Sequence, residues 1–201
     1  CVSLLLLCAA TIFSKSTTAN ADDRYVKLCE RYFTEFAEDY GKFGQKDGFT
    51  YLYSDKKNTA TIVAIPMEQK KVAVPGKING KTVTKIELMD VFSCSSNYYF
   101  RDEFYGEHED NPVPKVEYLS IPKTVKVINI YAGIGLTEGY CGELQSYLVH
   151  LKKFNVASAN KWYRSYKGML YTKNGKKLLL VPRKYMAKTV KVKKGTTKIA
   201  D

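Results

Sequence analysis

The sequence is poor in the residues on which most enzyme and metal chemistry depends. Its 201 residues include only 2 His and 1 Trp, and neither a CxxC pair nor a Cys/His cluster with zinc spacing occurs. A zinc module and a disulfide-stapled miniprotein are therefore poorly supported. The GxSxG, HExxH and P-loop motifs are also absent, and the lone GIG at 133–135 does not make a nucleotide loop. We predict no catalytic residue, no cofactor and no metal ion.

The chain also lacks a hydrophobic run of membrane-spanning length. Residues 2–13 form an apolar run that is too short for a typical span, and the sequence ANA at 19–21 fits a small-x-small cleavage pattern. We predict that residues 1–21 are a signal peptide without its basic n-region. The mature protein, from Asp22, would be secreted or lie on the cell surface. The alternative is that the run is a buried apolar helix or strand.

Three cysteines of the predicted mature chain leave the disulfide pairing open. Cys29, Cys94 and Cys141 allow at most one internal disulfide, and their spacing does not select the pair. A thiol beside a histidine can also act as a nucleophile. The alternative function is therefore an exported cysteine-dependent hydrolase acting on cell wall or peptides, with Cys94 or Cys141 beside His108 or His150. No motif flanks these residues, so the leading prediction is a protein that is not an enzyme.

Charge is distributed unevenly along the chain. The formal net charge is +12, and residues 151–201 alone hold 13 Lys and 2 Arg against one acid, Asp201, for a net charge of +14. Lys outnumbers Arg 27 to 5, whereas proteins that read nucleic-acid sequence rely on Arg for bidentate contacts. The composition argues against a specific nucleic-acid partner and is compatible with attraction to anionic polymers.

One segment near the start of the predicted mature chain has a helical pattern. Aromatic and apolar residues recur there at steps of three and four, acids stand at the beginning, and Gly41 suits the end. We predict an amphipathic helix over 22–44, within an N-terminal region of 22–46. Its aromatic stripe would pack on the sheet that follows.

From residue 48 onward the hydrophobic pattern has a period of two, which indicates strands. FTYLYS and TATIVAI flank the polar DKKN, as in a hairpin, and Asn79-Gly80 marks another turn. Asn174-Gly175 lies between two apolar runs, which predicts a hairpin over 169–181. A type I′ turn is expected there, with positive φ at both turn residues.

Three of these stretches repeat a common outline. Residues 70–86, 117–128 and 188–199 each have a short apolar alternation, a Pro-Gly, Pro-Lys or Lys-Gly step and a polar spacer, followed by Val or Thr, Lys and Ile. Residues 151–160 supply another opening strand. Units of this kind bury too little apolar surface alone and must stack on their neighbours.

The outline resembles the BspA-like leucine-rich repeats of exported and cell-surface proteins. TATIVAIPMEQKKVAVPGKINGKTVTKI resembles the entry unit of that family, and LSIPKTVKVI resembles its L-x-I-P-x-x-V-x-x-I repeat. LKKFNVASANKWYRSYKGMLYTKNGKKLLLVPRK resembles the variant repeat that carries a hairpin insertion. The resemblance covers residues 48–201, departs from the family's pattern at 87–92 and 93–116, and implies a repeat domain at 47–201 that stops inside a repeat.

Together with the helix, the resemblance implies a mainly β fold (α+β), in which a leucine-rich-repeat solenoid of short strands carries a β-hairpin insertion. It also implies a secreted or cell-surface, non-catalytic binding and adhesion module without a membrane span in the mature chain. The expected partner is a host or neighbouring-cell surface protein, or an anionic polysaccharide, held on the repeat surface.

Two groups of side chains are predicted to bind such partners. Aromatic residues beside the acidic run in the 93–116 loop can contact glycans or proteins, or fold back as a second small core. The acids match no calcium loop. If strands 151–156 and 188–194 stack beside the 169–181 hairpin, their lysines crowd one region and attract polyanions; the alternative is a set of solvated strand faces. The predicted binding residues are Tyr98, Tyr99, Phe104, Tyr105, Lys152, Lys153, Lys173, Lys176, Lys177, Lys191, Lys193 and Lys194.

Overall fold

The computed structural model describes residues 42–89, 114–131 and 148–200. These residues are mainly β and contain no helix. The strands are β1 (Lys42–Lys46), β2 (Phe49–Ser54), β3 (Thr59–Ala64), β4 (Lys71–Ala73), β5 (Lys77–Ile78), β6 (Lys81–Met89), β7 (Tyr118–Ile121), β8 (Val127–Tyr131), β9 (Lys153–Val156), β10 (Tyr163–Tyr166), β11 (Met169–Thr172), β12 (Lys177–Leu180) and β13 (Lys198–Ile199).

Several predictions concern parts of the chain outside the described residues. They are the signal peptide at 1–21, most of the helix at 22–44, the aromatic and acidic part of the 93–116 loop, and the three cysteines. A search of the described residues for a helix long and apolar enough to cross a membrane finds none.

The strands form three sheets. In the first sheet, β1, β2 and β3 make an antiparallel meander, β6 runs parallel to β3, and both β5 and β8 pair with β6. The second, which we call the parallel sheet, contains β4, β7 and β9 in that order. In the third sheet, β10, β11 and β12 are antiparallel and β13 runs parallel to β12.

Two of the predicted repeat units stack in register. The first contributes β4 to the parallel sheet and β6 to the first sheet, and the second contributes β7 and β8 in the same way. Buried apolar side chains pair between units, because residues at equal positions in a unit become neighbours across strands. Val72, Leu119 and Phe154 share one register row, and Ile62, Ile86 and Ile128 share another. Both rows belong to one apolar core.

The hairpins confirm most of the predicted turns. β2 and β3 pair around DKKN as expected, and Asn79-Gly80 forms a two-residue turn with φ of 44° and 78°. A turn of the same kind joins β10 and β11 at Lys167-Gly168, with φ of 51° and 84°. This turn was not predicted from the sequence. Positive φ at both positions matches the right-handed twist of paired strands.

The 169–181 hairpin is confirmed, but its predicted turn type is wrong. Only Gly175 has a positive φ, of 73°, and its N–H donates to the carbonyl of Thr172 at 2.8 Å. The Asn174 Oδ1 accepts hydrogen bonds from the backbone N–H of Lys176 and the hydroxyl of Thr172. These bonds fix a four-residue loop built around an ordinary turn, so that Asn174 does not need a positive φ.

Two other predicted elements are corrected. Residues 42–46 form β1, which pairs residue by residue with β2, instead of the end of a helix. The two-residue turn at Asp47-Gly48, with φ of 52° and 78°, folds β1 back on β2. Residues 188–194 form no strand. The chain there is exposed except at Lys193, whose N–H donates to the hydroxyl of Tyr171 at 3.1 Å. Strand pairing with the third sheet begins at Lys198–Ile199, where β13 pairs with β12.

Asn160 holds the corner that follows β9. Its side chain is fully buried, and its Nδ2 donates to the carbonyls of Pro122 and Val125, both at 2.9 Å. Its Oδ1 accepts from the backbone N–H groups of Trp162 and Tyr163, both at 2.8 Å. One amide thus satisfies four backbone groups and ties the β7–β8 turn to the chain entering β10.

Replacing Asn160 with Ala is expected to lower the free energy of unfolding by about 3 kcal/mol or more, because two carbonyls and two N–H groups lose their partner. Urea unfolding followed by circular dichroism measures the change. Asn155→Ala is the matched control, since Asn155 lies half-buried on an outer strand face, and it should stay within about 0.5 kcal/mol. Equal stability of the two variants would contradict the role assigned to Asn160.

Candidate functional site

The outer face of the parallel sheet carries a shallow groove. Side chains alternate along its strands, so that Val72, Leu119 and Phe154 point into the core. The intervening residues face outward and fall into two rows across the strands. The first row is Lys71, Tyr118 and Lys153, and the second is Ala73, Ser120 and Asn155. We call these six residues the sheet groove. All of them except Lys153 line, together with Val72, a cavity of about 490 Å³.

The first row places a tyrosine between two lysines. Lys71 and Lys153 are exposed, and Tyr118 is half-buried. The Lys71 ammonium lies 6.0 Å from the centroid of the Tyr118 ring, which is at the outer limit of a cation–π contact. The row therefore combines one flat aromatic surface with positive charge on both sides.

The β10–β11 turn borders the groove beyond β9. The N–H of Phe154 donates to the carbonyl of Gly168 at 2.8 Å, and the N–H of Val156 donates to the hydroxyl of Ser165 at 3.3 Å. A Cβ on Gly168 would lie 3.0 Å from Cγ of Lys153. The glycine thus lets the turn approach closely and supports the aliphatic stem of Lys153.

Lys152, which precedes the groove residue Lys153, forms an ion pair with Glu117. The Lys152 ammonium donates to Oε2 of Glu117 at 2.8 Å. The hydrogen bond from Lys152 is the main cause that lowers the pKa of Glu117, and the same bond raises the pKa of Lys152. Glu117 directly precedes Tyr118 and is therefore the acid nearest in sequence to the first row. Its carboxylate is already engaged by Lys152.

The other predicted lysines lie around the β11–β12 hairpin. Lys173 donates its ammonium to the carbonyl of Ser158 at 2.7 Å, and Lys177 pairs with Lys198 across two parallel strands. The side chain of Lys193 passes over Gly175, where an added Cβ would lie 2.9 Å from its Cε. The structure thus brings Lys193 to the hairpin tip beside Gly175 and its chain neighbour Lys176, while Lys191 and Lys194 are exposed on the segment before β13.

Of the groove residues, the sequence predicted only Lys153. Lys71, Ala73, Tyr118, Ser120 and Asn155 were not predicted, although the outlines at 70–86 and 117–128 would have aligned the first four of them. The predicted aromatic residues Tyr98, Tyr99, Phe104 and Tyr105 lie outside the described residues, as do Cys94, Cys141 and His108. His150 is exposed in a turn, and the described part of the chain gathers no three His, Cys, Asp or Glu residues as a metal site.

Comparisons with known proteins give distant structural neighbours. No protein-family model matches the chain, and no curated protein matches it significantly. A structure of the pneumococcal vaccine antigen PcpA is 15% identical over 80% of this chain and 61% of its own, with a TM-score of 0.30. A leucine-rich repeat protein from Eubacterium ventriosum is 16% identical over 75% of this chain and 53% of its own, with a TM-score of 0.35. The chain spans less than two thirds of either neighbour.

The Lys152–Glu117 pair predicts a pH dependence. Its stabilisation should be complete above the ordinary pKa of Glu, about 4.3, and disappear as the pH falls through the lowered pKa of Glu117. On the alkaline side it should be complete below the ordinary pKa of Lys, about 10.4, and disappear as the pH rises through the raised pKa of Lys152.

Carboxyl titration by NMR tests this assignment. In Lys152→Met the pKa of Glu117 should rise towards its ordinary value, since the hydrogen bond that lowers it is gone. In Lys153→Met, which removes the neighbouring charge only, the same pKa should stay nearly constant. A Glu117 pKa that does not move in Lys152→Met would show that the pair does not form in solution.

Proposed function

We propose that this chain is a non-catalytic binding and adhesion module, secreted or displayed on the cell surface, that holds protein or anionic glycan partners on its repeat surface. The observation that carries the proposal is the sheet groove. Three parallel strands in register present two outward rows, with an aromatic ring, positive charge and polar side chains side by side. A surface of this kind binds an extended partner without a deep pocket.

The repeat architecture supports the proposal. The units at 70–86 and 117–128 supply neighbouring strands to both the first sheet and the parallel sheet, as units of a BspA-like leucine-rich-repeat solenoid would. Each additional unit of this type would lengthen the groove by one strand. The export-signal pattern at 1–21 supports a location outside the cytoplasm.

The charge of the C-terminal part supports an anionic partner. Residues 151–201 carry a net charge of +14. Of the two adjacent lysines where the chain enters β9, Lys152 is paired with an acid, and Lys153 forms no ion pair within the described part of the chain. The remaining ammonium groups raise the local concentration of anionic partners around the groove and the hairpin.

A bulky side chain in the groove tests the proposal whatever the partner. Ser120→Trp fills the centre of the second row, and we expect it to weaken binding to cell surfaces or immobilised surface polymers about tenfold or more, because a docked partner must be displaced. Ser158→Trp is the control, since Ser158 is exposed in the turn after β9 and outside the groove. Surface plasmon resonance measures both.

Two outcomes would contradict the proposal. If Ser120→Trp binds as well as the parent protein, the groove is not the binding surface. If the Lys173→Glu, Lys176→Glu and Lys177→Glu triple variant abolishes binding while Ser120→Trp does not weaken it, the hairpin tip is the binding surface instead.

A further inference from the structure

We infer that the sheet groove takes a linear polysaccharide with a carboxylate on every second sugar, lying across the strands. This inference rests on the proposed binding function and names the ligand class. Three features of the groove carry it: the separation of its two lysines, the aromatic ring between them, and the polar row beside them.

The lysine separation fits alternate sugars. Lys71 and Lys153 share a register row with Tyr118 but stand on strands that are two apart. Neighbouring strands are about 4.8 Å apart, so the two lysine Cα atoms are separated by about 10 Å. Successive rings of an extended polysaccharide follow one another at nearly the strand interval. Carboxylates on alternate rings therefore face both ammonium groups, with one ring over the tyrosine.

Tyr118 suits the ring that lies between the charged sugars. A pyranose presents an apolar C–H face that stacks on an aromatic ring, and the tyrosine hydroxyl adds a polar edge. The contact of Lys71 with this ring is long, at 6.0 Å to the centroid, so a ligand can draw the ammonium towards its carboxylate at little cost.

The second row suits sugar hydroxyls. Ala73, Ser120 and Asn155 lie two residues along the strands from the first row, which is about 6.6 Å. The small side chain of Ala73 leaves room for a substituent, while the hydroxyl of Ser120 and the amide of Asn155 both donate and accept hydrogen bonds. One row thus faces acid groups and the other faces hydroxyl groups along the same ligand.

The charges of the groove are available to a ligand. In the part of the chain that the structure describes, neither Lys71 nor Lys153 forms an ion pair, and the neighbouring acid, Glu117, is bound by Lys152. An acidic peptide fits less well than the polysaccharide. Its side chains on one face repeat at about 6.6 Å, which does not match the lysine separation, and it brings no flat apolar ring face to Tyr118.

Hyaluronan fragments test the inference, because a disaccharide carries one carboxylate and a tetrasaccharide carries two. Titration calorimetry at low salt should show the tetrasaccharide binding about fivefold more tightly than the disaccharide, the effect of one exposed ion pair. Lys71→Met or Lys153→Met should abolish this difference in affinity between the two fragments. Lys161→Met, at an exposed lysine outside the groove, should preserve it. Tyr118→Leu should weaken both fragments.

The outcomes separate this inference from the proposed function. Equal affinity for the two fragments, or equal binding of polyglutamate and the tetrasaccharide, would overturn the inference. If no hyaluronan fragment binds while Ser120→Trp still blocks binding to cell surfaces, the ligand class is wrong and the groove remains the binding surface. If Ser120→Trp has no effect on such binding, the proposed function itself fails.

Discussion

The four hydrogen bonds of the Asn160 side chain are the constraint on which the described fold depends. The amide lies where the chain leaves the parallel sheet after β9, and it binds backbone groups of both the second unit and the segment entering β10. A buried amide with all its hydrogen bonds made specifies one geometry, since any shift leaves polar groups unpaired. The backbone N–H of Trp162 is consequently held in place although the residue is 38% exposed. The Lys126 ammonium lies 5.5 Å from the centroid of its ring.

The register of the parallel sheet fixes the positions of the residues on its outer face. Because β4, β7 and β9 are parallel and aligned residue by residue, a buried row of Val72, Leu119 and Phe154 requires an outward row on either side of it. A slip by one residue would expose the buried row and bury Lys71 and Lys153. Burial of the core side chains therefore fixes the distances between the groove residues, although most of these residues do not interact directly with one another.

Much of the strand content could be predicted from the sequence, because alternation and Asn-Gly turns are local signals. The hairpin at 49–64 and the stacked units at 70–86 and 117–128 follow from such signals. The outlines at 70–86 and 117–128 could have predicted that Lys71 and Tyr118 are neighbours, but the addition of β9 to the groove and the contacts of Asn160 could not be predicted in the same way. Both depend on which strands become neighbours across long gaps in sequence, and the irregular spacing of the units conceals that pairing. The prediction of a strand at 188–194 was wrong for a related reason. The segment alternates Lys and Val, but it has no neighbouring strand to pair with in the described structure.

The lysines outside the groove and those inside it have different physical roles in the proposed function. Exposed charges at the hairpin tip act over a Debye length of about 8 Å at physiological salt and mainly accelerate encounter with an anionic partner. Lys191 and Lys194 offer no fixed spacing, since they stand on a segment without strand pairing, and the register pair of Lys177 and Lys198 spans only one strand interval. Lys71 and Lys153 stand on paired strands on either side of one aromatic ring, so their separation is set by the sheet. In the proposed function, selectivity for a ligand with acids on alternate sugars arises from this pair, because its two lysines stand two strands apart on either side of one aromatic ring.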